Sequence, residues 1–283
     1  MFIFLMALYF IANTAAKLLV RVFSKKTQLD PHAANLATRL PGYLFGVAYG
    51  LQQQSQPLLE GVTPPLLALT AFTAMLSVVA GKISIIAIKN LDIASYTLLQ
   101  MLSVPVSVVI SSLLLSEGLT FAQTLAMTCI LVGVSIVGAG GRLPRTKHIG
   151  KYESYALLNS LFSGSFIVLG RYLIEQTSLS TMLVLFAGME IIAVLLVASK
   201  STLKKPSMSD IRLSLGIGAS FAIGMIAFWL AADSIDNIAL VSSLASFRVV
   251  TIFAASYVLL KEKSNLKQKL VGSALATAGL LLS

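Results

Sequence analysis

The sequence predicts an all-α integral membrane protein with ten transmembrane helices, arranged as two inverted five-helix repeats around a central cavity. Three observations predict it. Of 283 residues, 57% are hydrophobic and 11% charged, and the mean hydropathy is +0.88. A soluble domain carries about 45–50% apolar and about 25% charged residues, so a soluble fold is excluded, as are a disordered chain and a coiled coil. A single cysteine, Cys129, excludes a disulfide scaffold. The second observation is a series of ten apolar segments, most near the roughly 20 residues that cross a bilayer. The third is an internal repeat.

The elements follow in order. Segment 2–22 has no basic residues at its start, so it reads as the first span and not as a cleaved signal peptide. A polar cluster at 24–31 separates it from 33–51, and 52–64 separates that from 65–88. The breakers 89–92 and 116–120 bound a fourth span, 94–115, and a fifth follows at 121–139. One continuous helix over 93–137 would be about 67 Å long at about 1.5 Å per residue, far too long for one crossing, so these two form a helical hairpin. The basic stretch 140–151 precedes spans at 153–174, 180–199, 211–233, 238–260 and 266–283, divided by 175–178, 200–210, 233–237 and 261–265.

Residues 92–138 lie on 237–283 without a gap at an offset of 145, with ten of 47 pairs identical. Apolar matches carry little weight in such a chain, whereas Glu117/Glu262 and Gln123/Gln268 carry more because polar residues are scarce. The halves are therefore 1–148 and 149–283. Five spans per half place the halves in opposite orientations, the plan of many secondary transporters. Charge sets the topology. Seventeen of the 21 Lys and Arg residues flank the odd-numbered loops, and Glu60, Glu117, Glu175, Asp233 and Asp236 occupy the even-numbered ones. The positive-inside rule then puts the odd loops in the cytoplasm and both termini outside. Dropping one span would scramble this alternation. With the bases confined to short loops, the net charge of +10 points to anionic lipid and not to nucleic acid.

The stretch Ile93-Ala-Ser-Tyr-Thr-Leu-Leu-Gln-Met-Leu-Ser-Val-Pro105, then Leu113-Leu-Leu-Ser-Glu117-Gly-Leu-Thr, with Gln123 and Gly133-Val, resembles the EamA-type proteins of the drug/metabolite transporter superfamily. Arg39, in Ala37-Thr-Arg-Leu, is similar to an arginine of that family's second span. The resemblance covers nearly the whole chain and implies ten spans in two repeats and metabolite export. The chain departs from the pattern at Val250, where a proline is expected, and at Ser116 and Lys261, which stand before each glutamate in place of glycine. The family's termini are mostly cytoplasmic, the reverse of the charge reading here.

Charged groups inside the apolar spans are costly and are the first candidates for function. Four qualify: Arg39, Lys82, Glu190 and Arg248. Arg248 is deepest, roughly 18–19 Å from the flanking markers Asp236 and Lys261, and Glu190 is roughly 15 Å from Lys200. Ser242 and Ser246 share a helix face, i and i+4, and join Arg248 in one polar stripe. A guanidinium stays charged when buried and offers a planar fork to carboxylate or phosphate, so Arg248 reads as an anion anchor or as an ion-pair partner of Glu190. Glu190 reads as a coupling carboxylate, a ligand for a cationic group, or an ion pair with Arg248 or Arg39. Arg39 and Glu190 occupy similar places in the second span of each half. Lys82 is a substrate-binding candidate or a lysine snorkelling toward the surface. Asn13, Tyr96, Gln100 and Trp229 are candidates for cavity hydrogen bonding or stacking, against a packing role for each. Gly42-xxx-Gly46-xxx-Gly50 reads as a close helix contact, Pro105 as a kink, and Glu117 and Glu262 as complements to helix N-termini.

No metalloprotease, serine-hydrolase, P-loop or paired-cysteine metal motif is present, and His32 and His148 fall in loops. The chain therefore reads as a non-enzyme with no cofactor or metal, a monomer or weak dimer in a prokaryotic plasma membrane, whose partners are a small-molecule substrate and membrane lipid. Three intramembrane bases against one acid favour an anionic or zwitterionic substrate, such as an amino acid or organic acid, moved by alternating access. Proton-coupled efflux of cationic drugs through Glu190, and flipping of a lipid or lipid-linked sugar, are the alternatives.

Overall fold

The computed structural model describes residues 1–54, 60–114, 121–138, 150–198, 206–235, 241, 244–245, 247–261, 267, 270–272, 274–275 and 278. Within them the chain is all-α: α1 Phe2–Lys26, α2 Pro31–Gln52, α3 Pro64–Asn90, α4 Ile93–Gln100, α5 Ser103–Leu114, α6 Phe121–Gly138, α7 Lys151–Gln176, α8 Leu179–Ala198, α9 Met208–Asp233 and α10 Arg248–Leu259. Among the described residues, six stretches are long and apolar enough to cross a membrane: α1, α3, α4 with α5, α7, α8 and α9. The apolar surface is what a chain dissolved in lipid requires, since residues such as Ile3, Phe4, Phe72, Ile192 and Leu196 stand exposed along the helices. Glu117, Glu262, His148, Ser242, Ser246 and most of the span 266–283 lie outside the described residues.

Several helix starts are set by short polar side chains. Asp30 caps α2, its Oδ1 accepting from the backbone N–H of His32 (2.8 Å) and Ala33 (3.2 Å), with Pro31 in the first turn. Asp92 caps α4 through Ser95, and Ser207 and Asp210 form a capping box on α9.

Two compact units result, and each draws on both halves of the sequence. One comprises Met1–Ile85 and Leu169–Asp236, the other Ile86–Val168 and Asn237–Ser283. In the first unit α1 packs on α9, and α2 packs on both α8 and α9. The glycine stripe of α2 makes that approach possible. A Cβ on Gly42 would lie 2.7 Å from the Phe221 ring and 3.1 Å from the Gly218 carbonyl oxygen, and one on Gly50 would lie 2.9 Å from the Ser180 carbonyl oxygen. Gly46 meets Met225 and Ala187. Phe23, Ala34, Ile85 and Ile217 form one apolar cluster, and Val78, Ala193 and Val194 another. Arg171 donates from Nη1 to the Ala232 carbonyl oxygen (3.0 Å) at the C-terminal end of α9 and pairs with Glu175 at 2.8 Å. A cation there complements the helix dipole.

In the second unit α4 packs on α10, and α4 and α5 both pack on α6. Gly164 of α7 abuts the Ser103 carbonyl oxygen and Val106. The predicted single fourth span is two helices, interrupted at Met101 and Leu102. The Leu102 N–H reaches back three residues to the Leu99 carbonyl, and Val104 N–H to Met101, so the turn tightens there. Pro105 thus sits in the first turn of α5, where a missing N–H costs nothing, and is not a kink within a continuous helix. The ninth span carries the same interruption 145 residues on: Phe247 N–H bonds to the Leu244 carbonyl, and α10 begins at Arg248. Ser111 Oγ donates to the Val108 carbonyl (3.1 Å), and its repeat mate Ser256 donates to Phe253 (2.9 Å). The two segments therefore fold alike locally although Val250 replaces the proline.

Candidate functional site

The second unit gathers one group of predicted residues. Arg248 is the first residue of α10, half-buried, and lines a small pocket with Val249, Thr97, Gln100 and Met101. Gln100 ends α4 and is 4% exposed. The interruptions of the fourth and ninth spans put them there: α4 stops at Gln100, α10 starts at Arg248, and the two helices are in contact. A half-helix N-terminus carries about half a positive charge, and the guanidinium on its first residue adds a full one. The C-terminal end of α4 beside them contributes about half a negative charge, which offsets that of the α10 N-terminus, so it is the guanidinium that leaves this place net positive and open to an anion. Thr97 and the Gln100 amide add neutral hydrogen-bonding groups at the same wall. Tyr96 is fully buried, and its hydroxyl accepts from Asn159 Nδ2 at 2.8 Å, which makes it a bridge between α4 and α7.

The first unit gathers a second group. Glu190, on α8, is 1% exposed and lies within hydrogen-bonding reach of the Ser77 and Tyr43 hydroxyls, beside the Arg39 guanidinium. Arg39 Nη1 donates to the Tyr43 hydroxyl oxygen at 3.1 Å, and its Cζ stands 5.3 Å from the centroid of the Phe221 ring. That ring packs edge-on against Tyr43. Arg39 and Tyr43 are i and i+4 on α2, so both reach the same side. Tyr43 is the joint of the cluster: its oxygen accepts from Arg39 while its O–H is left to donate toward the acid. Burying a carboxylate demands such company, since an isolated buried charge is prohibitively costly.

Lys82 extends toward the N-terminal end of α2, which is also the Lys89 end of α3, as a snorkelling lysine would. Its Nζ donates to His32 Nε2 at 2.8 Å. His32 is not a loop residue but the second residue of α2, placed there by the Asp30 cap. Asn13 and Trp229 have other neighbours. Asn13 lies on α1 where it passes Gly224, and Trp229 packs edge-on against Phe228 and over Gly170.

Sequence reasoning singled out Arg39 and Glu190 but missed Tyr43, Ser77, Asn35, Thr97 and Asn159. Tyr43 had a legible signal, its i+4 spacing from Arg39. Ser77 and Asn159 had none, because their partners come from helices far along the chain.

No family model matches the sequence, and no curated protein matches it. A solved structure titled only "Crystal structure of protein" aligns over 99% of this chain and 94% of its own, with a TM-score of 0.67 and 16% sequence identity. The chain thus shares a known fold along nearly its whole length: it is an all-α protein whose long apolar helices are those of a membrane-embedded chain.

Proposed function

We propose that this protein is a secondary transporter of a small anionic or zwitterionic metabolite, such as an amino acid or organic acid, working by alternating access and without cofactor or catalysis. The reading takes the chain as ten spans in two inverted repeats of the drug/metabolite transporter type. The odd loops are cytoplasmic and the termini outside, in a prokaryotic plasma membrane. One observation carries it: Arg248 stands on the first turn of a half-helix, opposite the end of another. Interrupted spans are how transporters aim helix ends at an anionic group. The matching interruptions 145 residues apart support the repeat, as does the packing of α2 on α8 and of α4 on α10, each a pair of equivalent spans.

A second reading, proton-coupled efflux of cationic drugs, is favoured by the buried acid Glu190, whose Oε2 takes no hydrogen bond from the described residues. Thermal stabilisation of the purified protein separates the two, since a ligand that binds only the folded state raises the melting temperature. The panel is amino acids, organic acids, phosphorylated sugars, cationic drugs and short-chain lipids. The expected result is stabilisation of wild type by an anion or zwitterion, lost in Arg248→Ala and kept in Glu190→Gln. Stabilisation by cationic drugs alone, lost in Glu190→Gln and kept in Arg248→Ala, transfers the function to the efflux reading. Stabilisation by lipids alone transfers it to flipping.

A further inference from the structure

Among the described residues, seven buried side-chain nitrogen and oxygen atoms make no hydrogen bond, and four of them belong to Asp30, His32, Asn35 and Glu190. Buried polar atoms are normally partnered, so such a concentration needs a reason. His32, Asn35, Arg39 and Tyr43 recur at intervals of three, four and four, which keeps them on one face of α2. The opposing stretch of α3 runs back along them: Lys82 meets His32, the Val78 carbonyl accepts from Asn35 Nδ2 at 3.1 Å, and Ser77 reaches Tyr43. Gly81 leaves the room between. A Cβ there would strike Asn35 Oδ1 and lie 2.8 Å from Arg39 Nε. The result is a polar track from the half-buried start of α2 to the fully buried Glu190, roughly 16 Å along the helix at about 1.5 Å per residue.

We propose that Glu190 is a proton-binding carboxyl loaded along this track, with the Lys82–His32 contact closing its outer end. The inference deepens the transport reading, which gives the proton its use. In the loading step a hydronium ion passes its proton to the free oxygen Oε2; the new O–H bond leaves a neutral acid and a water molecule. A proton needs only one lone pair. A metal cation needs several oxygen ligands, and here one carboxylate stands beside a guanidinium. The groups facing Glu190 that bear charge or titrate are Arg39 and Tyr43 from α2. From α3 it meets the neutral Ser77, and the charged residues of α9 (Asp210, Arg212 and Asp233) sit in its end turns. Loading therefore takes the Arg39–Glu190 cluster from neutral to net positive. That change of charge couples a proton to an anionic or cationic cargo.

The test is infrared difference spectroscopy of the full-length protein in nanodiscs after an acid jump, which reads proton binding without any substrate. Wild type is expected to gain the carbonyl band of a buried protonated carboxyl. Glu190→Gln is expected to lose the band, Glu190→Asp to move its frequency, and Arg39→Gln to bring it in at higher pH, because a removed cation no longer favours the carboxylate. Lys82→Met is expected to keep its amplitude and speed its appearance severalfold, since the outer contact is gone. A wild type without the band, or a band that survives Glu190→Gln and ignores Glu190→Asp, overturns the proton site. An unchanged or slower rate in Lys82→Met overturns the track as its route. Because no substrate is present, these failures leave the thermal-stabilisation result for Arg248 untouched.

Discussion

Replacing Tyr43 by phenylalanine removes one oxygen and nothing else from the first unit. That oxygen accepts from Arg39 at 3.1 Å and stands within reach of Glu190, with the side chain fully buried. Its loss leaves a guanidinium N–H and a carboxyl oxygen short of a partner each. We expect Tyr43→Phe to lower stability by about 1–3 kcal/mol, the range for stranding buried polar groups. Equilibrium unfolding of the detergent-solubilised protein measures it. Arg39→Ala should cost more than Tyr43→Phe, because it strips Glu190 of its countercharge. The double variant Arg39→Ala/Glu190→Gln should cost less than the sum of its singles, since the two residues share one interaction. Additive losses would mean that the pair does not interact. Of this cluster the charged members were legible from sequence, because a charge inside an apolar span is conspicuous. Ser77 was not, since a lone serine in an apolar helix is ordinary and only the fold brings α3 and α8 to it.

At the scale of the element, two glycines make opposite predictions. Gly50 of α2 faces backbone, the Ser180 carbonyl oxygen at 2.9 Å and the Val184 nitrogen at 3.2 Å from a Cβ placed there. Backbone cannot swing aside, so Gly50→Ala should destabilise by about 1–3 kcal/mol. Gly188 of α8 has nothing within 4 Å of such a Cβ, so Gly188→Ala should be neutral or stabilise by about 0.5–1 kcal/mol through helix propensity. Unfolding curves of the two variants, measured side by side, check the pair; equal effects would mean that α2 does not sit tightly on α8. The interruption of the fourth span belongs to this scale too. Proline at 105 flagged an irregularity, yet the ninth span makes the same break with Val250. The break therefore does not come from the missing N–H. It accompanies the contact between α4 and α10, which no local signal encodes.

For the whole molecule, charge predicts how the chain lies in the membrane. Glu60 and Lys89 are both exposed and fall in even- and odd-numbered loops. In a variant lacking the sole cysteine, Cys129→Ser/Glu60→Cys should react with a membrane-impermeant maleimide on intact cells. Cys129→Ser/Lys89→Cys should react only after lysis. The opposite pattern would put the termini in the cytoplasm and overturn the orientation read from the basic loops. The long apolar helices were legible almost end to end, since the need to satisfy backbone groups within lipid leaves a chain of this composition few alternatives. Helix α2 is the instructive case. At 22 residues it is long enough to span, but His32, Asn35 and Arg39 dilute its apolar character, and the same residues build the polar track.

The sequence by itself determined the apolar solvent, the helices and most of their boundaries. These follow from hydropathy, capping residues and the fixed rise of a helix, all properties read over a few turns of chain. Tertiary structure decided the company each charge keeps. Glu190 meets Arg39 and Tyr43 from about 150 positions away, Lys82 meets His32 from 50, and Arg248 comes to the end of α4. Such meetings depend on which faces of distant helices approach closely, and that is set by glycine stripes and side-chain volumes acting together across the unit.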